Sequence, residues 1–443
     1  MPISSFMGLQ TSLRGLIAHQ QAMNVTGHNI ANANTVGYSR QEAVLTTMHA
    51  LTVPANSGVT GYGAQLGTGV DVTQIRRIRD SFLDLQYRTE NMQLGGAAAK
   101  TNSLEQIELS FGEPSEDGIN ALLGRLWSAF SALASSPEAG SAARTALVRH
   151  ANTLATAFQA VHEQLTQVAG QARSEFDAIT GPGGDVDNWA RELAQLNRTI
   201  AHAVTVGQVP NDLLDRRDLL IDRLSSLAQV SVTEDRTGAV RVEFGGVTLV
   251  DPAAAGGYTW PQTLTRPGGK LGALQDLADP TGPALTYRGR LDEVVRDLVT
   301  RVNAIHSGPG GVNFFDPAGL TADRIAVVAT AGTVVAGSGG ADGQNDIANR
   351  LAQLRGGSID KTYSALVSEV GSDVKQVMST EAIQQALVDA IENRRQSVQG
   401  VSPDEEMVNM VRFQRGYQAS SRAMTTLDDM LDTLINRTGK VGL

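Results

Sequence analysis

Four carboxylates at three- and four-residue spacing, Asp212, Asp215, Asp218 and Asp222, are the residues of this chain best placed to do chemistry. On a helix they fall on one side, where together they could hold a cation. Arg216, Arg217 and Arg223 interleave with them, which favours a solvated, ion-paired face over a metal site. The histidines His19, His28, His49, His150, His162, His202 and His306 are scattered, and no two stand four residues apart as a helical zinc site requires. The Gly-rich stretch Gly58, Gly61, Gly63, Gly67 and Gly69 contains no Gly-x-Gly-x-x-Gly. Gly269-Lys270 is followed by Leu271, not by the Ser or Thr of a phosphate loop. There is no Gly-x-Ser-x-Gly elbow. Without cysteine, thiolate catalysis, a Cys-type zinc site and disulfides are excluded. The expectation is a chain that is not an enzyme, with no cofactor and no metal.

Charge narrows the partners. The net charge of −10 over 443 residues argues against nucleic acid and anionic membrane, both of which favour a basic face. The ends differ from the middle. Residues 1–50 carry Arg14 and Arg40 against Glu42, and residues 407–443 carry Arg412, Arg415, Arg422, Arg437 and Lys440 against Asp428, Asp429 and Asp432. Nearly neutral ends suit close packing with other subunits, and an acidic middle suits a solvated surface. In residues 1–20, polar Gln10, Thr11, Ser12, Arg14, His19 and Gln20 interrupt any apolar run. Neither a cleavable secretory signal nor a transmembrane span is expected.

The elements that must position these residues are mostly helices, and 443 residues suggest roughly three domains. In 3–31, Phe6, Leu9, Leu13, Leu16, Gln20, Met23, Gly27 and Ile30 are spaced alternately three and four apart, a heptad seam. Met410, Phe413, Tyr417, Ser420, Met424, Leu427, Leu431 and Leu434 repeat that spacing at the far end. There Ser402 reads as N-cap, Pro403 as first helical residue and Glu405 as the partner of a capping box, with Gly439 as the stop. Such a seam usually means a helix in its own core. Here both seams lie at chain ends with nothing further to cover them, so they are expected to pair antiparallel.

Between the ends, helices are predicted over about 71–110, 119–133, 139–179, 187–205, 211–229, 283–306 and 361–399. Gly181-Pro182-Gly183-Gly184 breaks the chain after the third, and Asn211 should cap the fifth. Val230, Val232, Val240, Val242, Phe244, Val247 and Leu249 alternate with polar residues around Gly238 and Gly245-Gly246, a β-meander within 230–265. Residues 307–345, rich in Gly, Ala and Val, read as a small β or loop insertion. The fold class is therefore mainly α, with coiled-coil-like paired termini, a long-helix middle, a small β-meander and a short insertion. The predicted domains are 1–50 with 403–443, 51–306 with 346–402, and the insertion 307–345.

One segment decides between classes. Gly27-His28-Asn29-Ile30-Ala31-Asn32-Ala33-Asn34-Thr35-Val36-Gly37-Tyr38-Ser39-Arg40-Gln41-Glu42 is physically a helix end, with three Asn and a Gly suited to caps and turns. It resembles the signature of the bacterial flagellar axial proteins, the family of rod, hook and hook-associated subunits, and Ser39-Arg40-Gln41 is similar to the hook-associated branch. Three further stretches agree. They are Gly69-Val70-Asp71-Val72 leading to Ile75-Arg76-Arg77-Ile78-Arg79-Asp80-Ser81-Phe82-Leu83; Pro210-Asn211-Asp212-Leu213-Leu214-Asp215-Arg216-Arg217-Asp218; and Gly400-Val401-Ser402-Pro403-Asp404-Glu405-Glu406 with Phe413-Gln414-Arg415-Gly416-Tyr417-Gln418-Ala419-Ser420. The chain departs from the family at Val36, where Pro is frequent, and at the Gly181–Gly184 break, where a continuous helix is expected.

The resemblance implies a structural subunit of the hook–filament junction, secreted to the extracellular flagellum through the type III export apparatus with an export chaperone. Its partners would be copies of itself in a ring, hook protein and a second junction protein. Its terminal helices would stay mobile in the monomer and order on assembly. The implied assembly residues are Leu9, Leu13, Leu16, Met23, Asn29, Ile30, Asn32, Tyr38, Met410, Phe413, Tyr417, Met424, Leu427, Leu431 and Leu434. The alternatives are another axial protein of hook or rod, against which Asn211–Asp218 weighs, and a secreted helical enzyme, against which the missing catalytic constellation weighs.

Overall fold

A computed structural model describes residues 6–53, 64–138, 140–308, 312–339 and 343–437. Gly58, Gly61 and Gly63 of the Gly-rich stretch and the predicted stop at Gly439 lie outside the described residues. The chain is mainly α. Helix α1 (Phe6–Ala31) leads into β1 (Gln41–Thr47), β2 (Leu51–Val53), β3 (Ala64–Leu66) and β4 (Val70–Arg77). β1 pairs antiparallel with β4, with a bulge between Val44 and Leu45, and β2 pairs with β3 beyond them.

β4 corrects the helix predicted from residue 71. Val70, Val72, Thr73 and Ile75 are β-branched and fit a pleated surface better than a helical turn. α2 (Ser81–Phe111) starts only where Asp80 can cap it, accepting hydrogen bonds from Phe82 N at 2.9 Å and Leu83 N at 3.4 Å.

The helices α3 (Ile119–Ser135), α4 (Ala142–Thr180), α5 (Asp185–Thr205) and α6 (Asn211–Leu227) follow the predicted order. The Gly181–Gly184 break is a tight turn between α4 and α5, with Gly183 at φ +78°. The carbonyl of Thr180 accepts from Trp260 Nε1 at 3.0 Å, so the broken helix end is satisfied from another element. The meander forms as read: β5 (Val230–Glu234), β6 (Val240–Phe244) and β7 (Val247–Val250) make a three-stranded antiparallel sheet in that order. After it come α7 (Gly269–Ala278), which the sequence reading missed, and then α8 (Pro283–His306), α9 (Asp346–Ala352), α10 (Ser358–Gln399) and α11 (Pro403–Asp432).

Among the described residues two apolar cores result. One joins α2, α3, α4, α8, α9 and α10 around Trp127, Phe130, Phe158 and Tyr363. Tyr363, Val370 and Val374 of α10 are buried in it, and Val367 and Val377 pack at its edge. The segment read as an insertion adds two of its largest buried side chains, Phe314 and Phe315. Their backbone N–H groups both donate to Asn303 Oδ1 at 2.9 Å, which explains a buried Asn on α8. The second core lies between α5, α6, α7 and the three-stranded sheet around Phe244, Leu249 and Trp260.

Candidate assembly site

α1 and α11 lie antiparallel. Gly8 faces Leu427, Gly15 faces Ser420, and Gly27 faces Met410. Ser402 caps α11, accepting from Glu405 N at 3.5 Å, with Pro403 next and three acids in the first turn. The predicted α11 stripe faces inward: Met410, Phe413, Tyr417, Met424, Leu427 and Leu431 are half-buried, while Leu434 is 57% exposed.

On α1 the most buried stripe differs from the predicted seam. Gly15, Ala18, Ala22, Val25 and Asn29 are buried, whereas Leu9, Leu16, Met23 and Ile30 are half-buried and Leu13 is 44% exposed. Small residues let the neighbours come closer than leucines would: a Cβ at Gly15 would meet Ser420 Oγ at 2.8 Å, and one at Gly416 would meet the His19 ring at 2.6 Å. α1 thus lies between α11 and the β1/β4 ribbon, and its larger side chains are turned partly outward.

A polar lock closes this pair at the end of α1. Buried Asn29 donates from Nδ2 to Gln41 O at 2.8 Å and to Glu406 Oε2 at 3.0 Å. Its Oδ1 accepts from Tyr38 OH at 2.8 Å and Gln41 N at 2.9 Å. Arg40 donates from Nε to Glu406 Oε1 at 2.8 Å, places Nη2 2.8 Å from the same oxygen, and also reaches Glu405 at 3.2 Å. Glu405 therefore points to Arg40. Burial raises the Tyr38 pKa, and Asp212, Asp215 and Glu406 push it the same way, so the phenol stays a donor. Asn32 is the exception among the predicted interface polar residues. It lies half-buried at the helix exit, where Nδ2 donates to His28 O at 3.0 Å and ends α1 locally. Gly37 bends the exit at φ +81°, where a Cβ would press against Leu219 at 3.2 Å.

The acidic face of α6 is not the solvated face predicted. Asp215, Asp218 and Asp222 are largely buried, and their partners come from elsewhere in the chain. Arg77 reaches Asp215 at 2.8 Å and Asp218 at 2.9 Å; Arg79 reaches Asp218 at 2.9 Å and Asp84 at 2.9 Å. Arg88 bonds Asp222 at 2.7 Å, and Arg395 bonds Asp222 at 2.8 Å and Asp84 at 2.9 Å while stacking 4.2 Å over the Tyr87 ring. Burial works against the Asp218 carboxylate, but Arg79, Arg77, Arg217 and Arg88 outweigh it and hold its pKa below the usual range. Of the interleaved arginines, Arg216 pairs with Glu192 at 2.8 Å, and buried Arg217 turns to Gly238 O at 2.7 Å. With guanidinium partners on each, these three carboxylates leave no free ligand set for a cation.

Asn211 also departs from its predicted role. It is the first residue of α6 and makes no capping bond. Instead Nδ2 donates to Ile75 O at 3.0 Å and Gln41 Oε1 at 3.3 Å, tying α6 to the β1/β4 ribbon. Ser39 N donates to Asp215 Oδ2 at 3.0 Å, and Gln41 Nε2 to Asp212 Oδ1 at 3.0 Å. The segments 27–42, 75–83, 210–218 and 400–406 thus meet in one network. Arg88, Arg395 and Tyr87 were not singled out from sequence. The only signal for them was the surplus of acids on α6, which had to be neutralised once buried.

The family model described as "Flagellar hook-associated protein FlgK helical domain" matches residues 104–261. "Flagella basal body rod protein" matches 9–38, and "Flagellar basal body rod FlgEFG protein C-terminal" matches 393–437. Flagellar hook-associated protein 1 of Bacillus subtilis is 31% identical, the match covering 99% of each chain. The Escherichia coli protein of that name is 24% identical over 97% of this chain and 99% of its own. A solved flagellar hook junction protein from Burkholderia pseudomallei is 24% identical over 52% of this chain and 46% of its own, with a TM-score of 0.43. On identity across its full length and on the helical-domain match, the chain belongs to the flagellar hook-associated protein 1 family.

Proposed function

We propose that the chain is a structural subunit of the bacterial flagellum at the junction of hook and filament, needed for filament assembly, and not a catalyst. The observation that carries this is the lock of Asn29, Arg40 and Glu406, which holds the two chain ends together as one antiparallel pair. Along that pair Phe6, Leu13, Ile17, Met407, Val408 and Val411 remain exposed. Neighbouring subunits would cover these apolar side chains, which stand in two groups toward opposite ends of the pair. Residues 1–50 with 403–443 would form the assembly unit. Residues 51–306 with 346–402 would form the body outside the tube, with 307–345 attached to it.

The partners are copies of this chain in a ring, hook protein on one side and a second junction protein on the other. Delivery would use the type III export apparatus and an export chaperone, to an extracellular site. Among the described residues no helix is long and apolar enough to cross a membrane. The reading as another axial protein of hook or rod has support at the ends only, where the rod models match 9–38 and 393–437. The helical-domain match at 104–261 favours the junction.

The test is complementation of a strain lacking the gene with Leu427→Asp/Leu431→Asp. Filament loss with a folded middle is expected. Normal motility would overturn the proposal, and labelling along isolated flagella would separate junction from hook or rod.

A further inference from the structure

Away from the termini, three residues remote in sequence meet. His162 stands on α4, Asp292 on α8, and Asp323 in the segment between α8 and α9. One potential ligand atom from each lies within 4.8 Å of the other two. His162 Nδ1 is buried, has no hydrogen-bond partner, and sits 3.4 Å from Asp292 Oδ1. A charged imidazole donating to a carboxylate would close to about 2.7–2.9 Å. Two ligands of one tetrahedral ion, each about 2.0–2.1 Å from it, lie about 3.3 Å apart. The His162–Asp292 separation fits the second arrangement, and the Asp323 ligand atom lies within 4.8 Å of both.

We propose that His162, Asp292 and Asp323 bind a divalent transition-metal ion that pins the 312–339 segment to α4 and α8. The donor set suits the charge: two carboxylates and a neutral imidazole balance a doubly positive ion. One nitrogen with two oxygens fits zinc better than calcium, which takes six to eight oxygens. The carboxylates are held from behind. Asp292 Oδ1 accepts from Ala322 N at 2.7 Å, and Asp323 Oδ1 accepts from Thr321 Oγ1 at 2.5 Å. The His162 and Asp292 side chains are 15% and 16% exposed and Asp323 is 47% exposed, so solvent reaches the cluster most at Asp323. Water would complete the coordination from that side. The competing occupant of the space is a proton on His162, with Arg324 3.7 Å from Asp323 as a further cation.

The experiment is calorimetric titration of the purified full chain, stripped with chelator, with zinc chloride at neutral pH. One equivalent should bind. His162→Gln and Asp323→Asn should each weaken binding by at least about tenfold, since even second-shell changes at metal sites cost 10–100-fold. Trypsin cleavage after Arg324 should slow with zinc in the parent chain only. Asp323 is partly exposed, so its variant keeps the test valid if His162→Gln misfolds. Absence of binding, or binding and protection unchanged in Asp323→Asn, would overturn the site. Calcium binding as tightly as zinc would overturn the assigned ion class.

Discussion

Glu406 and Arg40, 366 residues apart in the chain, are joined by a charge-assisted pair in which Arg40 Nε lies 2.8 Å from Glu406 Oε1. Glu406 is 2% exposed and also accepts from Asn29, so its charge has no route to water. Glu406→Ala would remove the buried partner of Arg40, leaving it the exposed Glu405, and would take one of the two acceptors from Asn29 Nδ2. Breaking a buried pair costs about 3–5 kcal/mol, and the partial exposure of Arg40 reduces this to about 2–3 kcal/mol. Denaturant unfolding followed by circular dichroism should show that loss, with separation of α1 from α11 before the two cores melt.

Acid should act through Asp218. Its folded pKa is depressed, so its contribution is present above the unfolded value of about 3.9 and is lost as pH falls through the folded one. Stability measured from neutral pH downward should hold to about pH 5 and then decline. Asp218→Asn should start less stable and decline less steeply. A decline as steep as in the parent would assign the acid sensitivity to other carboxylates.

Gly15→Val tests the close approach of the terminal helices. The added Cβ would meet Ser420 Oγ at 2.8 Å, and overpacking of this kind costs about 1–3 kcal/mol. Faster proteolysis of α11, with the fragment beginning near α2 unchanged, is the expected readout.

Val408→Asp separates assembly from folding. Val408 is 69% exposed in the single chain, so the thermal midpoint should barely move, in keeping with surface changes within about 0.5 kcal/mol. Filament growth should nevertheless fail. Full motility would show that this face of α11 is not covered in the assembled structure.

Phe314→Ala should destabilise the larger core by about 3–5 kcal/mol, because the ring is fully buried between Phe130, Phe315 and His306. A loss below about 1 kcal/mol would mean that the 312–339 segment does not share in that core.

Residues whose neighbours in sequence are also their neighbours in space were readable in advance. The α11 stripe, its Ser402 cap, the alternation of β5 to β7 and the Gly181–Gly184 break all depend on local spacing. What failed depended on distant partners. The α1 stripe could not be chosen correctly because leucines and small residues share the same period, and only the approach of α11 and the ribbon selects the small ones. The α6 acids looked solvated because Arg77, Arg88 and Arg395, which cover them, lie far off in sequence. Asn211 looked like a cap because its real acceptor, Ile75 O, sits in a strand mistaken for helix. The signature residues themselves were visible, but their meeting in one network was not.

The lock also sets an order of events. A chain made from its N-terminus produces Asn29, Tyr38 and Arg40 well before Glu406, which lies 366 residues after Arg40. Until then Asn29 and Arg40 have no Glu406 to grip, and α1 lacks the neighbour that covers its glycines. Closing so long a loop carries an entropic cost that shorter contacts do not. The two cores can therefore consolidate before the two ends join. A product that stops before α11, however well its middle folds, cannot present the paired helices.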